Sequence, residues 1–332
     1  NLTGSPKVAI IGSGDAARFS VTVQPDSPVQ PGGSATFTVR FDPTSAGTTQ
    51  DVEIYLDNDD SNENPYNFAI QGAAYSLAIH NVNELQAMKY NLAGDYYLAN
   101  NIDASATSGW NSGAGFEPVG NSATKFTGTF DGKGYKITGL TINRLTTTYV
   151  ALFGGIVGSG DRVWEVGLVG GSISGQGVVG GLVGYLQTGN VRKCYTTGNV
   201  SGTGGQVGGL IGLAVSTGTV TECYATGSVT SSGFGMYGGL VGLNYGAVSN
   251  CYAVGSVTGP SNVGGLVGSN SGTVSGSYYD QQTTGRSDTG KGTPKTTAEM
   301  KQQATFVGWA FTPPTGIWAI LENVTYPYFG VQ

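Results

Sequence analysis

The side chains that could carry out chemistry are few in this sequence and lie far apart. His80 is the only histidine, so the pair of histidines one helical turn apart that binds zinc in many peptidases cannot form. Asp103 and Asp131 could supply the two carboxylates of a glycoside hydrolase. Both have turn-like surroundings without a basic cluster, and Asp131-Gly132 is a common turn sequence. We therefore expect a boundary position for His80 and turn positions for the aspartates, and we assign no catalytic residue.

An acidic stretch is the candidate metal site. Its central members are Asp57, Asp59, Asp60 and Glu63. Carboxylates at this density suit Ca²⁺, which takes six to eight oxygen ligands. The stretch lacks the glycine of an EF-hand loop and ends at Pro65, as a solvated hairpin turn would. Calcium binding and a plain turn are both left open, and no other cofactor is indicated.

Three cysteines recur at nearly equal steps. Cys194, Cys223 and Cys251 are 29 and 28 residues apart, whereas zinc thiolates usually come as closely spaced pairs. The number is odd, which does not suit a disulfide framework. We therefore expect buried thiols that pack as small apolar side chains.

A tyrosine row is the candidate surface for a ligand or partner. Tyr195, Tyr224 and Tyr252 each follow one of the cysteines, and Tyr278 follows Ser277 in the same register. Aromatic rings in a row can stack on sugar rings or on another protein. The alternative is that the rings only support neighbouring structural repeats.

The composition excludes several classes of protein. Glycine accounts for 57 of 332 residues, charged residues for 11%, and the net charge is −6. So few basic groups do not neutralise phosphates, which argues against nucleic acid as a partner. With 39% hydrophobic residues the chain is not a typical disordered protein. The sequence contains no run of eighteen apolar residues, so it predicts no membrane-spanning helix.

A repeat of about 28 residues organises the region from 166 to 279. The motif Gly-Gly-Leu-Val/Ile-Gly starts at 180, 208, 238 and 264, so the steps are 28, 30 and 26 residues. A fixed period of this length indicates a solenoid. Dense glycine argues against helices, so a β-solenoid is expected, with a few short strands in each coil. Strand-like runs before the repeat are 96–98, 126–130, 135–137 and 140–142.

Alternation within a coil predicts which side chains face inward. Cys223, Ala225 and Val229 share one face, and Tyr224 lies on the other. Small apolar side chains belong inside a narrow coil, so the tyrosines are expected to form an outward ladder. By the same argument, the repeated leucines form a buried ladder of Leu182, Leu210, Leu240 and Leu266.

The first 75 residues have a different pattern. Apolar residues alternate with polar ones in five short runs, which are 8–11, 19–23, 37–41, 52–56 and 66–70. Period two with turn residues between the runs is typical of an antiparallel sandwich. An immunoglobulin-like sandwich needs about seven strands.

This region resembles the immunoglobulin-like domains of bacterial surface proteins called choice-of-anchor D, related to the ASPM/SPD-2/hydin group. The segments that carry the resemblance are 15–21, 31–34, 41–43 and 58–65. The resemblance implies two further strands before Asn1. An upstream segment of the same polypeptide or a neighbouring subunit would supply them; the third alternative is a minimal domain that is complete with five strands. Donation by a neighbour would propagate as a filament.

The glycine-rich repeat resembles the GLUG motif of bacterial adhesins, which also occurs beside the peptidase domain of IgA-cleaving metalloproteases. The zinc-binding histidine pair of that peptidase is absent, so its activity is not implied here. Segments 98–103 and 126–132 resemble the lead-in of such arrays. Residues 296–300 and 308–309, Trp318 and residues 326–328 resemble the closing segment of such arrays. A helix is expected to begin there near Thr296, with a Thr296/Glu299 capping box. We expect this helix and the aromatic tail to cap the end of the stack.

These observations predict an all-β chain in three parts. They are a partial immunoglobulin-like sandwich at 1–75, a solenoid at 76–290 with a short helix after Asn81, and a cap at 291–332. The expected function is a non-enzymatic extracellular structural or adhesive surface protein, or more specifically a filament subunit. The alternatives are a carbohydrate-binding adhesin module and a β-helix polysaccharide-degrading enzyme. Expected partners are other copies, upstream segments, surface glycans, or host and biofilm proteins.

Overall fold

The chain divides into two compact units, Asn1–Ser76 and Leu77–Gln332. The structure is a computed structural model, and it describes residues 1–11, 19–30, 33–41, 49–62, 64–73, 77–311 and 316–330. Among these residues, no helix has the length and apolar character needed to cross a bilayer.

The first unit consists of antiparallel strands at all five predicted positions. Its strands are Val8–Ile11, Phe19–Val23, Thr38–Phe41, Thr49–Leu56 and Tyr66–Ala73. The first, fourth and fifth form one sheet, and the second and third form another. The buried apolar side chains of its described part are Val8, Phe19, Pro25, Val52 and Ile54. The turns expected at 31–33 and 42–47 lie almost entirely outside the described residues.

The second unit opens with the predicted short helix. Residues Val82–Ala87 are α-helical and continue into a 3₁₀ turn at Met88–Tyr90. The Asn81 side chain accepts hydrogen bonds from the backbone N–H groups of Asn83 and Glu84, both at 3.0 Å. These bonds satisfy donors that the first helical turn cannot pair.

The rest of this unit is a β-solenoid, so the predicted all-β solenoid fold is confirmed. From Gly167 to Ser275, each coil passes through four parallel sheets in a fixed order, and the earlier coils contribute strands to only some of them. We call the first the tyrosine sheet; its strands are Ile102–Asp103, Lys136–Thr138, Gly167–Val169, Tyr195–Thr196, Tyr224–Ala225, Tyr252–Ala253, Tyr278–Asp280 and Thr293–Lys295.

Two shorter sheets follow in each coil. The second sheet contains Thr141–Arg144, Ser172–Gly175, Asn199–Gly202, Val229–Ser231 and Val257–Thr258. The third sheet contains Val178–Gly180, Gly205–Gly208, Gly235–Gly238 and Val263–Gly264. In the first coil, a kinked 3₁₀ segment, Ser105–Gly113, follows the tyrosine-sheet strand Ile102–Asp103.

The fourth sheet closes the coil and has the longest strands, so we call it the long-strand sheet. Its strands are Ala78–Ile79, Asp95–Leu98, Thr129–Asp131, Phe153–Ile156, Asp161–Trp164, Val183–Arg192, Ile211–Thr221, Val241–Asn244, Ala247–Ser249, Val267–Asn270 and Thr273–Ser275. The strand expected at 126–130 is therefore shorter and begins at Thr129. The predicted turn after Asp131 exists, but it rounds the corner into the tyrosine sheet rather than closing a hairpin.

The interior is built from ladders of identical side chains, as predicted. The four repeat leucines, Leu182, Leu210, Leu240 and Leu266, are all fully buried. Each of the first three donates its backbone N–H to the carbonyl of the next at 2.9 Å. Every coil therefore depends on its neighbour for both hydrogen bonds and packing.

The last segment covers the solenoid in two places. The Asp288 side chain accepts a hydrogen bond from Gly265 N at 3.0 Å, and Lys291 Nζ donates to Gly268 O at 3.0 Å. Both contacts lie on the final coil. The remaining elements run back along the tyrosine sheet; they are Glu299–Lys301, Gln303–Thr305, Trp318–Ala319 and Tyr328–Phe329. The aromatic tail thus covers a flank, which corrects the expectation that it caps only the end.

Candidate functional site

The tyrosine row lies on the outward face of the tyrosine sheet, and three of its rings stack. Tyr195, Tyr224, Tyr252 and Tyr278 are direct neighbours in the sheet register. The ring centroids of Tyr195 and Tyr224 are 4.7 Å apart, and those of Tyr224 and Tyr252 are 4.9 Å apart, with nearly parallel planes. This spacing equals the distance between adjacent strands, so the coil repeat itself imposes the stack.

The expectation that this row is an exposed surface is wrong for three of its four members. Tyr224, Tyr252 and Tyr278 are only 8%, 2% and 9% exposed. The Trp318 ring lies 6.0 Å from both Tyr224 and Tyr252, and the Tyr252 hydroxyl donates to Pro327 O. The chain's own C-terminal segment therefore occupies the surface that the sequence suggested for a ligand.

Burial changes the acidity of these phenols. Loss of water contact raises the pKa of Tyr224 and that of Tyr252 well above the ordinary value, because burial disfavours the charged form. Burial and a hydrogen bond to Asp280 raise the pKa of Tyr326 to about 12.

A groove lies where the tyrosine row stops. In the sheet register Tyr195 neighbours Gly167, and Gly167 neighbours Lys136. Gly167 has no side chain to continue the row, and a Cβ there would lie 2.2 Å from the Tyr195 ring. The groove has a volume of about 550 Å³ and is bordered by Tyr135, Lys193 and the C-terminal strand Tyr328–Phe329 among others.

The repeat itself contains a signal for where this groove lies, although the chemistry-bearing residues do not point to it. The repeat places Val166-Gly167 where later coils have Cys-Tyr, so the ladder must end there. What the repeat could not indicate is that Tyr328 and Phe329 return from far along the chain to form the opposite wall.

A buried carboxylate joins the last coil to the C-terminal segment. Asp280 is fully buried. Its Oδ1 accepts from Gln282 N at 2.8 Å and from Thr283 N at 3.1 Å. Its Oδ2 accepts from the Thr297 hydroxyl at 2.6 Å and from the Tyr326 hydroxyl at 2.8 Å. This carboxylate is engaged by four donors, which come from three stretches of the chain.

The two aspartates considered for glycoside hydrolysis lie on different sheets. Asp103 belongs to the tyrosine sheet and Asp131 to the long-strand sheet. Asp103 accepts from Ser105 N at 2.9 Å, and this backbone hydrogen bond lowers its pKa. Asp131 accepts from Lys133 N at 2.9 Å and pairs with Lys133 Nζ at 2.8 Å. Each stabilises its own turn.

His80 lies beside the opening helix of the second unit. Its backbone N–H donates to Glu84 Oε2 at 2.7 Å, and its Nδ1 is 3.2 Å from the same oxygen. No group of three or more His, Cys, Asp or Glu side chains able to hold a metal occurs within the described ranges.

The acidic stretch of the first unit forms local turns and contacts with Asn1 and Thr3. Asp59 Oδ2 accepts from the Asn1 side-chain amide at 3.0 Å, and Asp60 Oδ1 accepts from Asn62 N at 2.9 Å. The Asp57 carbonyl accepts from Thr3 N at 2.8 Å. Glu63, the fourth calcium candidate, lies outside the described residues.

The cysteines face the interior, as predicted, and form a ladder of their own. Cys194, Cys223 and Cys251 are all buried, and none of them forms a disulfide. Cys194 N donates to the Cys223 sulfur at 3.4 Å, and Cys223 N donates to the Cys251 sulfur at 3.3 Å. Burial raises the pKa of the Cys223 thiol well above its ordinary value, so a reactive thiolate is disfavoured.

Comparison with known proteins identifies the repeat. Residues 175–201, 203–230 and 235–258 match the GLUG motif. Over 221 residues the chain is 36% identical to halomucin of Haloquadratum walsbyi, covering 64% of this chain and 2% of halomucin. Over 140 residues it is 35% identical to a protein of Evansella cellulosilytica described as a Gly-rich membrane protein, covering 42% of this chain and 15% of that protein.

A solved structure of an IgA1 protease is also similar, with a TM-score of 0.43 and 20% identity over 70% of this chain and 19% of that one. The chain thus spans only a small part of each of these proteins. The three matches to the GLUG motif lie in consecutive coils of the second unit, between residues 175 and 258.

Proposed function

We propose that the chain is a non-enzymatic structural part of an extracellular surface protein. The observation that carries this proposal is the self-coverage of the tyrosine row, because the most distinctive outward side chains bind the chain's own C-terminal segment. The carboxylates, thiols and imidazole are likewise engaged in turns, caps or the core. A stack of coils held in this way suits a role as a spacer or scaffold.

The proposed location at the cell surface is supported by a relative described as a membrane protein. It can be tested on intact cells that produce the chain naturally, using an antibody against residues 77–332 and an added protease. We expect antibody labelling of unbroken cells and loss of the label after protease treatment. Protection of the chain until the cells are lysed would contradict this location.

The proposed lack of enzymatic activity leads to a separate test. The purified chain is incubated with a panel of polysaccharides and peptides, beside a variant with both Asp103→Ala and Asp131→Ala. We expect no turnover by either protein, because these carboxylates lie on different sheets. Turnover by the parent chain that the double variant loses would overturn the proposal.

Assembly through the first unit is a second candidate function. Several of its strands end in exposed apolar side chains, with Ile11, Val23 and Tyr66 between 51% and 54% exposed. Apolar groups beside an open sheet edge favour addition of another strand. We propose that a second copy of the chain supplies this strand, which joins copies head to tail.

This assembly can be measured by light scattering over a range of concentrations. We expect Val23→Lys to abolish association, since it places a charge among the exposed apolar groups. Leu145→Lys is the matched control, because Leu145 is equally exposed at 51% but belongs to the second unit. A parent chain that stays monomeric at every concentration, or equal effects of both variants, would contradict strand addition.

A further inference from the structure

We infer that the groove beside Gly167 binds an acidic saccharide. This goes beyond the proposed structural role, which stands or fails independently. At the groove the outward column of the tyrosine sheet changes from Tyr195 to Gly167 and then to Lys136. The Tyr195 ring lies over Gly167, and the groove borders both this ring and the Lys136 side chain.

Aromatic faces are available at this place, unlike along the rest of the row. Tyr195 is only partly buried, Tyr135 is 36% exposed, and Tyr328 is 44% exposed. All three border the groove. The C–H faces of a sugar ring can pack on such rings, while its hydroxyls bond to the phenol oxygens and to water.

The charges around the groove favour an anion. Lys133, Lys136 and Lys193 border it, with Glu165 as the single bordering carboxylate. Lys193 pairs with Glu165 at 3.1 Å and Lys133 with Asp131 at 2.8 Å, whereas Lys136 has no ion-pair partner among the described residues. Lys136 therefore leaves a local excess of positive charge at the groove, although the whole chain carries a net charge of −6.

Size and backbone bonding favour a saccharide over an added peptide strand. The volume of about 550 Å³ is within the range of small-molecule sites. The strand Gly167–Val169 lies inside the sheet, between Lys136–Thr138 and Tyr195–Thr196. It therefore presents no free edge for a peptide to pair with.

The test is calorimetric titration of the full chain at low salt with four probes. They are a hexagalacturonate, a heparin-derived hexasaccharide, neutral cellohexaose and hexaglutamate. The two acidic sugars distinguish carboxylate from sulfate groups. We expect at least one of them to bind about tenfold or more tightly than cellohexaose and hexaglutamate, with affinity falling as salt is added.

Matched variants locate the binding. We expect Lys136→Gln and Tyr135→Ala each to weaken binding about tenfold, without a change in thermal unfolding, because both side chains are exposed. Lys125→Gln and Tyr90→Ala are the controls. Lys125 also lies near a tyrosine ring, 5.6 Å from Tyr185, but away from the groove, and Tyr90 is 65% exposed.

The other outcomes overturn the inference. They are no binding of either acidic sugar, equal binding of cellohexaose, equal binding of hexaglutamate, and acidic-sugar binding that the groove variants leave unchanged. None of these results bears on whether the chain is displayed at the cell surface, which the antibody experiment decides separately.

Discussion

At the scale of single residues, Asp280 shows how a charge-poor fold uses a buried carboxylate. The four donors that surround it come from the short helix Gln281–Thr284, from Thr297 and from Tyr326. A buried charge is costly unless its hydrogen-bonding capacity is satisfied. Here the donors come from three separate stretches of chain, so the carboxylate fixes their relative positions.

Replacing this carboxylate should loosen the C-terminal segment. We expect Asp280→Ala to lower the free energy of unfolding by about 2–4 kcal/mol, because four donors lose their acceptor. Asp280→Asn keeps one oxygen for the helix N–H groups and should cost less. The measurement is urea unfolding followed by tryptophan fluorescence. A change in Asp280→Ala of under about 0.5 kcal/mol, the size of an ordinary surface substitution, would show that the network contributes little.

At the scale of the coil, glycine sets how closely neighbouring turns approach. A Cβ at Gly255 would lie 1.8 Å from Gly227 O, and one at Gly227 would lie 1.9 Å from Gly198 O. Real Cβ atoms are not found this close to backbone oxygen. The glycine column is therefore a steric requirement of the stack, beyond any need for backbone flexibility.

A methyl group in this column should separate two coils. We expect Gly255→Ala to lower the free energy of unfolding by about 2–4 kcal/mol, as overpacking of a tight contact does. Gly109→Ala is the control, because no atom lies within 4 Å of a Cβ at that position. Thermal unfolding of both variants checks this, and a similar melting temperature for the two would contradict the steric explanation.

The leucine ladder gives a second prediction for the coil. Leu240 is fully buried between Leu210 and Leu266. Leu240→Asp should unfold the neighbouring coils, because an unpaired charge in the core costs several kcal/mol. Leu240→Met conserves volume and should cost under about 1.5 kcal/mol. Circular dichroism and melting temperature measure both, and a folded Leu240→Asp protein with unchanged melting would refute the ladder.

The coil was the part most open to prediction from sequence. The repeat gives the coil length, and alternation within it assigns Cys223 and Val229 to the inside. Local pattern was less informative at the corners, where Lys193 and Glu222 adopt positive φ values of 50° and 55°. This left-handed conformation is uncommon for residues with a side chain. The stacking of coils imposes it, and neither residue type indicates it.

At the scale of the whole molecule, contacts between distant parts of the sequence decide which side chains are exposed at the surface. The tyrosine row was predictable from the repeat, but its cover was not. Trp309 and Trp318 lie well after the repeat, and nothing in their local sequence indicates where they pack. The groove is likewise only half predictable. The repeat indicates that the tyrosine row ends at Gly167, whereas nothing in the sequence indicates that Tyr328 forms the opposite wall.

The covered tyrosine row makes the second unit sensitive to alkali. Tyr224, Tyr252 and Tyr326 have raised pKa values in the folded chain, while an unfolded tyrosine ionises near pH 10. Folding therefore favours the neutral phenols. Their contribution to the free energy of unfolding is fully present below about pH 10. It is lost as the pH rises from there through about 12 and beyond.

We expect the free energy of unfolding to be level up to about pH 10 and then to fall, by up to about 1.4 kcal/mol per pH unit for each fully buried tyrosine. Urea unfolding across this range measures it, with phenolate absorbance reporting ionisation. Tyr252→Phe should make the fall less steep, because it removes the most deeply buried phenol of the tyrosine row. Tyr90→Phe is the control, since Tyr90 is 65% exposed. If the phenols of the row ionised near pH 10 in the folded chain, with no loss of stability, the C-terminal segment would not be shielding them.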